Sequence, residues 1–216
     1  MTSSKDEILS KLRKQSVPPV ELPDLEAPEL TQRWIQYPDP TAQFAEVLSG
    51  VGGVCYQVKD IAAANQKLAE IAAFSEAKKI CSQISECGNP NVSIADISDP
   101  HDFEDIDFAI LPGEFAVAEN GAVWITNDGG PARVLYFLAQ HVALFVPASA
   151  VVNNMPEAYQ RLAFADNSFG TFMSGPSKTA DIEQSLVIGA HGARSLSVFL
   201  VEDAFQTNWP EILKYL

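Results

Sequence analysis

Cysteine is scarce in this chain: three residues, at 55, 81 and 87. The number is odd, the spacing irregular, and no C-x-x-C pair is present to hold zinc or an iron–sulfur cluster. They read as reduced structural thiols, so chemistry on a bound cluster would belong to another chain, and no cofactor of its own is expected. Basic residues are few as well. Fourteen Lys and Arg face 28 Asp and Glu, a net charge of −14, and without a segregated basic patch this balance repels a phosphate backbone and argues against nucleic acid. Long apolar runs are missing. The most apolar region, 134–152, is interrupted by Gln140, His141, Pro147 and Ser149, which suits adjoining buried segments better than a membrane span. Residues 1–12 include Lys5, Asp6, Glu7 and Lys11 and lack the apolar core of a signal peptide. A cytoplasmic protein with no membrane span is expected.

Nucleotide and hydrolase fingerprints are absent too. Gly50–Gly53 lacks the G-x-G-x-x-G pattern and reads as a helix end and turn. Lys178-Thr179 resembles the end of a P-loop, but no glycine directly precedes the lysine, and no G-x-S-x-G elbow supports a serine hydrolase. No internal repeat is evident.

What is present fits a globular α/β domain, with 47% hydrophobic and 19% charged residues over 216 positions. Residues 4–15 read as an amphipathic helix, with Ser4 and Glu7 as a capping box and Ile8, Leu9 and Leu12 on one side. It is too short to be stable alone and must dock on the body or on a partner. Six prolines between 17 and 40 mark an extended linker, with Trp34, Ile35 and Tyr37 pinning its end. The expected organisation is therefore an arm over residues 1–38 and an α/β domain over 39–216. Within that domain, a helix ends at Gly50, a strand follows over 53–58, and Asp60 caps a long helix reaching Phe74. Short strands are expected in 77–84, 91–97 and 108–111. The acidic segment 99–107 reads as solvated, and its lone His101 as a turn residue rather than a ligand. The alternation predicts a mostly parallel sheet flanked by helices.

Two stretches concentrate chemistry. The first runs from Ser174 to Arg194, between apolar segments 169–173 and 196–201 that read as buried parallel strands. Gly175-Pro176 punctuates the first strand, Ser177 or Thr179 caps a helix with Asp181 in its first turn, Ile182, Leu186 and Val187 form its apolar face, and Gly189 and Gly192 turn the chain back. Such a loop–helix lies at the carboxyl ends of strands in open α/β sheets. It would bind a small carboxylate or phosphate through Ser177, Lys178 and Thr179, with His191 and Arg194 opposite; the plainer reading is a capped helix with solvated charges. The second stretch, Glu114–Asn127, sets two apolar runs around Asn120-Gly121. This is a hairpin signal in its own right, and alternatively places Glu119 at a strand end over a cleft. Arg133 could hold a substrate carboxylate, and His141 reads as a satisfied histidine at the core edge rather than a catalytic one.

Gly175-Pro176-Ser177-Lys178-Thr179-Ala180-Asp181-Ile182-Glu183, continued by Gly189-Ala190-His191-Gly192, resembles the signature of the lactate utilization protein C family of LUD-domain proteins. Ala193 stands where proline is usual. Ala118-Glu119-Asn120-Gly121 is similar to that family's Ala-Glu-Thr-Gly pattern, with Asn120 replacing threonine. The resemblance implies the NagB, ribose-5-phosphate isomerase and CoA-transferase type of fold. It also implies work in oxidising L-lactate to pyruvate beside iron–sulfur partner proteins, this chain being a cluster-free accessory component with Asp181 and Glu183 joining Glu119 at the site. A rival is an independent transferase or sugar-phosphate isomerase using Glu119 as nucleophile or base. A third is a structural partner that docks through its first helix.

Overall fold

Apolar runs of five to seven residues recur between helical segments, and they fold as parallel strands buried on both faces. The computed structural model describes residues 4–14, 27–127, 131–162, 169–180 and 186–202. The chain separates into two units, Met1–Trp34 and Ile35–Leu216. In the first, helix α1 (Ser4–Lys14) carries Ile8, Leu9 and Leu12 exposed, and α2 (Pro28–Thr31) is a single turn with proline at its start.

The second unit opens with α3 (Pro40–Gly50), capped by the Asp39 carboxylate, which accepts from the Ala42 amide. Then come β1 (Val54–Val58), α4 (Ile61–Ala69), α5 (Ala72–Ser75), β2 (Ile80–Ser82), β3 (Phe108–Pro112), β4 (Phe115–Val117) and β5 (Ala122–Asn127). The chain continues through α6 (Leu135–Leu138), β6 (His141–Pro147), β7 (Val151–Val152), α7 (Met155–Arg161), β8 (Phe169–Met173), β9 (Lys178–Thr179), β10 (Val187–Ile188) and β11 (Ser195–Val201). Asp60 caps α4 as expected, but that helix stops at Ala69 and resumes as α5, because Ile71 leaves helical dihedrals. Residues 91–97 form no strand. Asn91 instead covers the outer edge of β2, its side chain accepting from Ile80 and donating to Lys78, and Ile94–Asp96 is a 3-10 turn.

The main sheet has five parallel strands in the order β1-β11-β6-β3-β2. Alternation along its central strands divides the core. Val142, Leu144 and Val146 of β6 and Leu196, Val198 and Leu200 of β11 face α3, with Phe44 and Leu48, and α6, with Leu135 and Tyr136. Ala143, Phe145, Phe199 and Val201 face α4, with Ile61, Ala64 and Leu68. Phe145 and Phe199 stack across the strands at 4.7 Å.

At Gly113 the chain leaves the main sheet for a second one of four strands, β7-β4-β5-β8. A Cβ at Gly113 would stand 2.4 Å from Val123, so only glycine fits this junction. One face of the second sheet, with Ala116, Val123 and Ile125, shares the α3-side core; the other packs Phe115, Val117 and Trp124 under α7. The hairpin expected at Asn120-Gly121 joins β4 to β5. The segment 169–173 is a strand, but of this sheet and antiparallel to β5 rather than part of the parallel one.

Candidate functional site: a cleft beside the signature loop

The stretch expected to hold one helix after Ser177 folds differently. Lys178–Thr179 and Val187–Ile188 are paired antiparallel strands. The reason is non-local: the Ser177 amide donates to Ala193 O at 2.9 Å and the Gly189 amide to Ser177 O at 2.9 Å. These bonds hold the two described ends of the segment together as a strand pair, and β-branched Thr179, Val187 and Ile188 favour extended backbone. Asp181 and Glu183 lie outside the described residues.

The position also differs from the expected carboxyl edge. Gly192, Ala193 and Arg194 precede β11, the Arg194 amide bonds Gln140 O just before β6 at 2.8 Å, and the strap at Gly175–Lys178 rests on the turn before β1. There Lys178 Nζ donates to Val51 O, and a Cβ on Gly175, whose φ is 73°, would stand 2.6 Å from the same oxygen. The loop therefore sits at the amino edge of the sheet. Crossover and pairing decide which edge a loop reaches, and neither is written in local sequence.

Here the two ends of the signature meet. A cleft of about 190 Å³ is lined by Tyr136, Phe137, Met173, Gly175, Pro176, Ser177, His191, Gly192 and Ala193. Ser177 and His191 are thus brought together, with apolar walls from Met173, Phe137 and Pro176. Gly192 is a close approach: a Cβ there would meet Ser177 Oγ at 3.1 Å and Phe137 O at 3.2 Å. The N–H groups of His191, Gly192 and Ala193 meet no acceptor among the described residues. Ala193 is 5% exposed, and an unpaired amide at such a place is disfavoured unless something accepts from it. Three successive amides without an acceptor among the described residues, beside a hydroxyl and an imidazole, can hold an oxyanion.

Lys178, Thr179, Arg194, Arg133 and Glu119 are not in this wall. Lys178 braces the strap, and Arg194 packs its stem against Gly189. Arg133 lies over the Phe169 ring at 5.1 Å. Glu119 is exposed at its turn; its Oε2 accepts the Met155 amide at 2.8 Å, at the start of α7. That turn is nonetheless a neighbour of the strap, since Ser174 Oγ donates to Asn120 O at 2.8 Å. Gly121, with φ 64° and the Leu48 amide 2.8 Å from a would-be Cβ, is required on both counts. Tyr136 is a lining residue that sequence reading passed over, for its aromatic type reads simply as core. Its hydroxyl donates to Pro112 O at 2.9 Å, and burial, then the nearby Glu114 carboxylate, pushes the phenol above its ordinary range. Among the described residues no group of three His, Cys, Asp or Glu is placed to hold a metal, and no helix is long and apolar enough to cross a membrane.

Residues 95–201 match the model of the LUD domain. The chain is a LUD-domain protein. It is similar to lactate utilization protein C of Shouchella clausii, 31% identical over 123 residues, 53% of this chain and 54% of that protein. It is similar too to lactate utilization protein C 1 of Bacillus mycoides, 34% identical over 113 residues, 46% of this chain and 48% of that one. The chain thus spans about half the length of the curated relatives it matches. Among solved structures, a DUF162 family protein from Deinococcus radiodurans superposes with a TM-score of 0.50 at 14% identity, over 77% of this chain and 99% of that one. This likeness supports the fold, with its parallel sheet flanked by helices. The LUD match takes in the hairpin of Glu119, the strap and the whole cleft.

Proposed function

We propose that this LUD-domain chain serves lactate utilization in the cytoplasm as a cluster-free component. It works beside iron–sulfur proteins that oxidise lactate to pyruvate and binds a small carboxylate or phosphate in the Ser177–His191 cleft. The reading is carried by one observation: His191, Gly192 and Ala193, whose amides meet no acceptor among the described residues, line a cleft with the Ser177 hydroxyl and the His191 imidazole. The names of the relatives support a role in lactate utilization. The three thiols fit a chain without a cluster: burial pushes Cys55 up to about 11 and Cys81 and Cys87 up to about 12, where they are not thiolates at neutral pH.

Two measurements test the two halves. Calorimetric titration of the full chain with L-lactate, pyruvate and inorganic phosphate is expected to give saturable binding by at least one, weakened about tenfold or more in Ser177→Ala, as for loss of a hydrogen bond to a charged group. A flat titration with all three removes the anion site. Separately, cells lacking the chain are expected to lose growth on L-lactate and to regain it with the wild-type gene but not with a His191→Ala, Ser177→Ala double variant. Normal growth of the deletion removes the pathway.

A further inference from the structure

A second and larger cavity, about 350 Å³, lies on the α4–α5 side of the main sheet, across it from the Ser177 cleft. Asn65, Phe74, Glu86, Gly88, Asn89 and Pro90 line it. Its size is within the range of small-molecule sites, roughly 300–1,000 Å³.

The loop that forms its rim is held in a costly backbone conformation. Glu86, Gly88 and Asn89 have φ of 60°, 76° and 45°. Glycine and asparagine accept this left-handed region; glutamate does not, and loses roughly 1–2 kcal/mol by adopting it. The conformation is nevertheless clamped. Asn65 Nδ2 donates to Glu86 O at 2.9 Å, and Asn65 Oδ1 accepts from the Gly88 amide at 2.8 Å. Gly88 can be nothing else, since a Cβ would lie 2.1 Å from Ile110 Cδ1. Local preference would place glycine or asparagine at position 86. The residue found there is a carboxylate, exposed, with no hydrogen-bond or ion-pair partner among the described residues. Strain of this kind, maintained by surrounding contacts, points to a side chain retained for what it does.

From this geometry we infer that the cavity binds a compact organic cation, a primary amine on a short apolar stem. The ammonium meets the Glu86 carboxylate and the side-chain oxygen of Asn89, and the stem lies against Phe74. The net charge of −14 enriches such cations near the surface. Nothing in this site depends on the anion cleft.

The test uses n-butylamine as probe, titrated into the full chain and followed by calorimetry and amide chemical shifts. Saturable binding with shifts confined to 65, 74 and 86–90 is expected, weakened about tenfold in Glu86→Gln and unchanged in Ser177→Ala. Glu86→Gly separates the site from a structural role: it is expected to lose the amine while melting at a higher temperature, because the backbone strain is relieved. No saturable binding at millimolar amine, affinity unaltered by Glu86→Gln, or a Glu86→Gly chain no more stable than wild type each overturns the proposal.

Discussion

His141, at the first position of β6, stands half-buried with Nδ1 2.8 Å from Ser195 Oγ on the neighbouring strand and its ring stacked on Phe108 at 6.3 Å. Burial, then the positive charge of Arg194, pulls its pKa below the ordinary 6.5, and Asp107 opposes them. Its folded value is thus below its unfolded one. Between those values the unfolded chain binds more protons, so stability rises with pH there and is lost on acidification below about 6.5. Urea denaturation across pH 5–7.5 is expected to show this slope, and His141→Gln to flatten it. Gly192 gives a second test at this scale. Its Cβ would crowd Ser177 and the Phe137 carbonyl, so Gly192→Ala is expected to weaken anion binding several-fold while circular dichroism stays that of the wild type; undiminished binding would place the ligand elsewhere.

Among the elements, α7 depends on Glu157 beyond its own turn. Both Glu157 oxygens are used: one accepts the Asn153 amide at 2.9 Å, the other Gln36 Nε2 at 2.6 Å, while Asn153 and Asn154 side chains add longer bonds. Tyr37 N bonds Asn153 Oδ1 and Asn154 Nδ2 bonds Ile35 O, so this cluster ties the start of the body to α7. Burial opposes ionisation of Glu157, but these bonds outweigh it and hold the carboxyl below its usual 4.5. Its contribution is present above about pH 4.5 and fades as pH falls through the folded value. Glu157→Ala is expected to cost about 1–3 kcal/mol at pH 7, and the gap to wild type in denaturation curves should narrow at pH 3.5. Several elements were legible because their cause is local: Asp60 caps a helix, Asn120-Gly121 turns a hairpin, and 196–201 is apolar but for Ser197. The strap was not. Its helix-like spacing at Ile182, Leu186 and Val187 is local, while the bonds that make Lys178–Thr179 and Val187–Ile188 a strand pair run to Ala193 and Ser177. For the same reason sequence placed Ser177 and His191 in one stretch without the cleft, its sheet edge or Tyr136.

At the scale of the molecule, the three thiols sit in different parts of one fold and report on it together. Cys81 and Cys87 are fully buried and Cys55 partly so, all with pKa values far above neutral. A thiol reagent at pH 8 is expected to label Cys81 and Cys87 only as fast as the chain opens, with denaturant accelerating both in parallel; rapid labelling of either in the native protein would contradict this packing. The order β1-β11-β6-β3-β2 has another consequence, in time rather than space. Among the described strands, the first of the body hydrogen-bonds to β11 alone, Val54 opposite Ser197. On the ribosome β2, β3 and β6 can pair as they emerge, but β1 must wait until β11 has been made. At roughly 5–20 residues per second that interval is several seconds to half a minute, during which Val54–Val58 has no partner strand. The sheet closes with the chain's oldest strand added last.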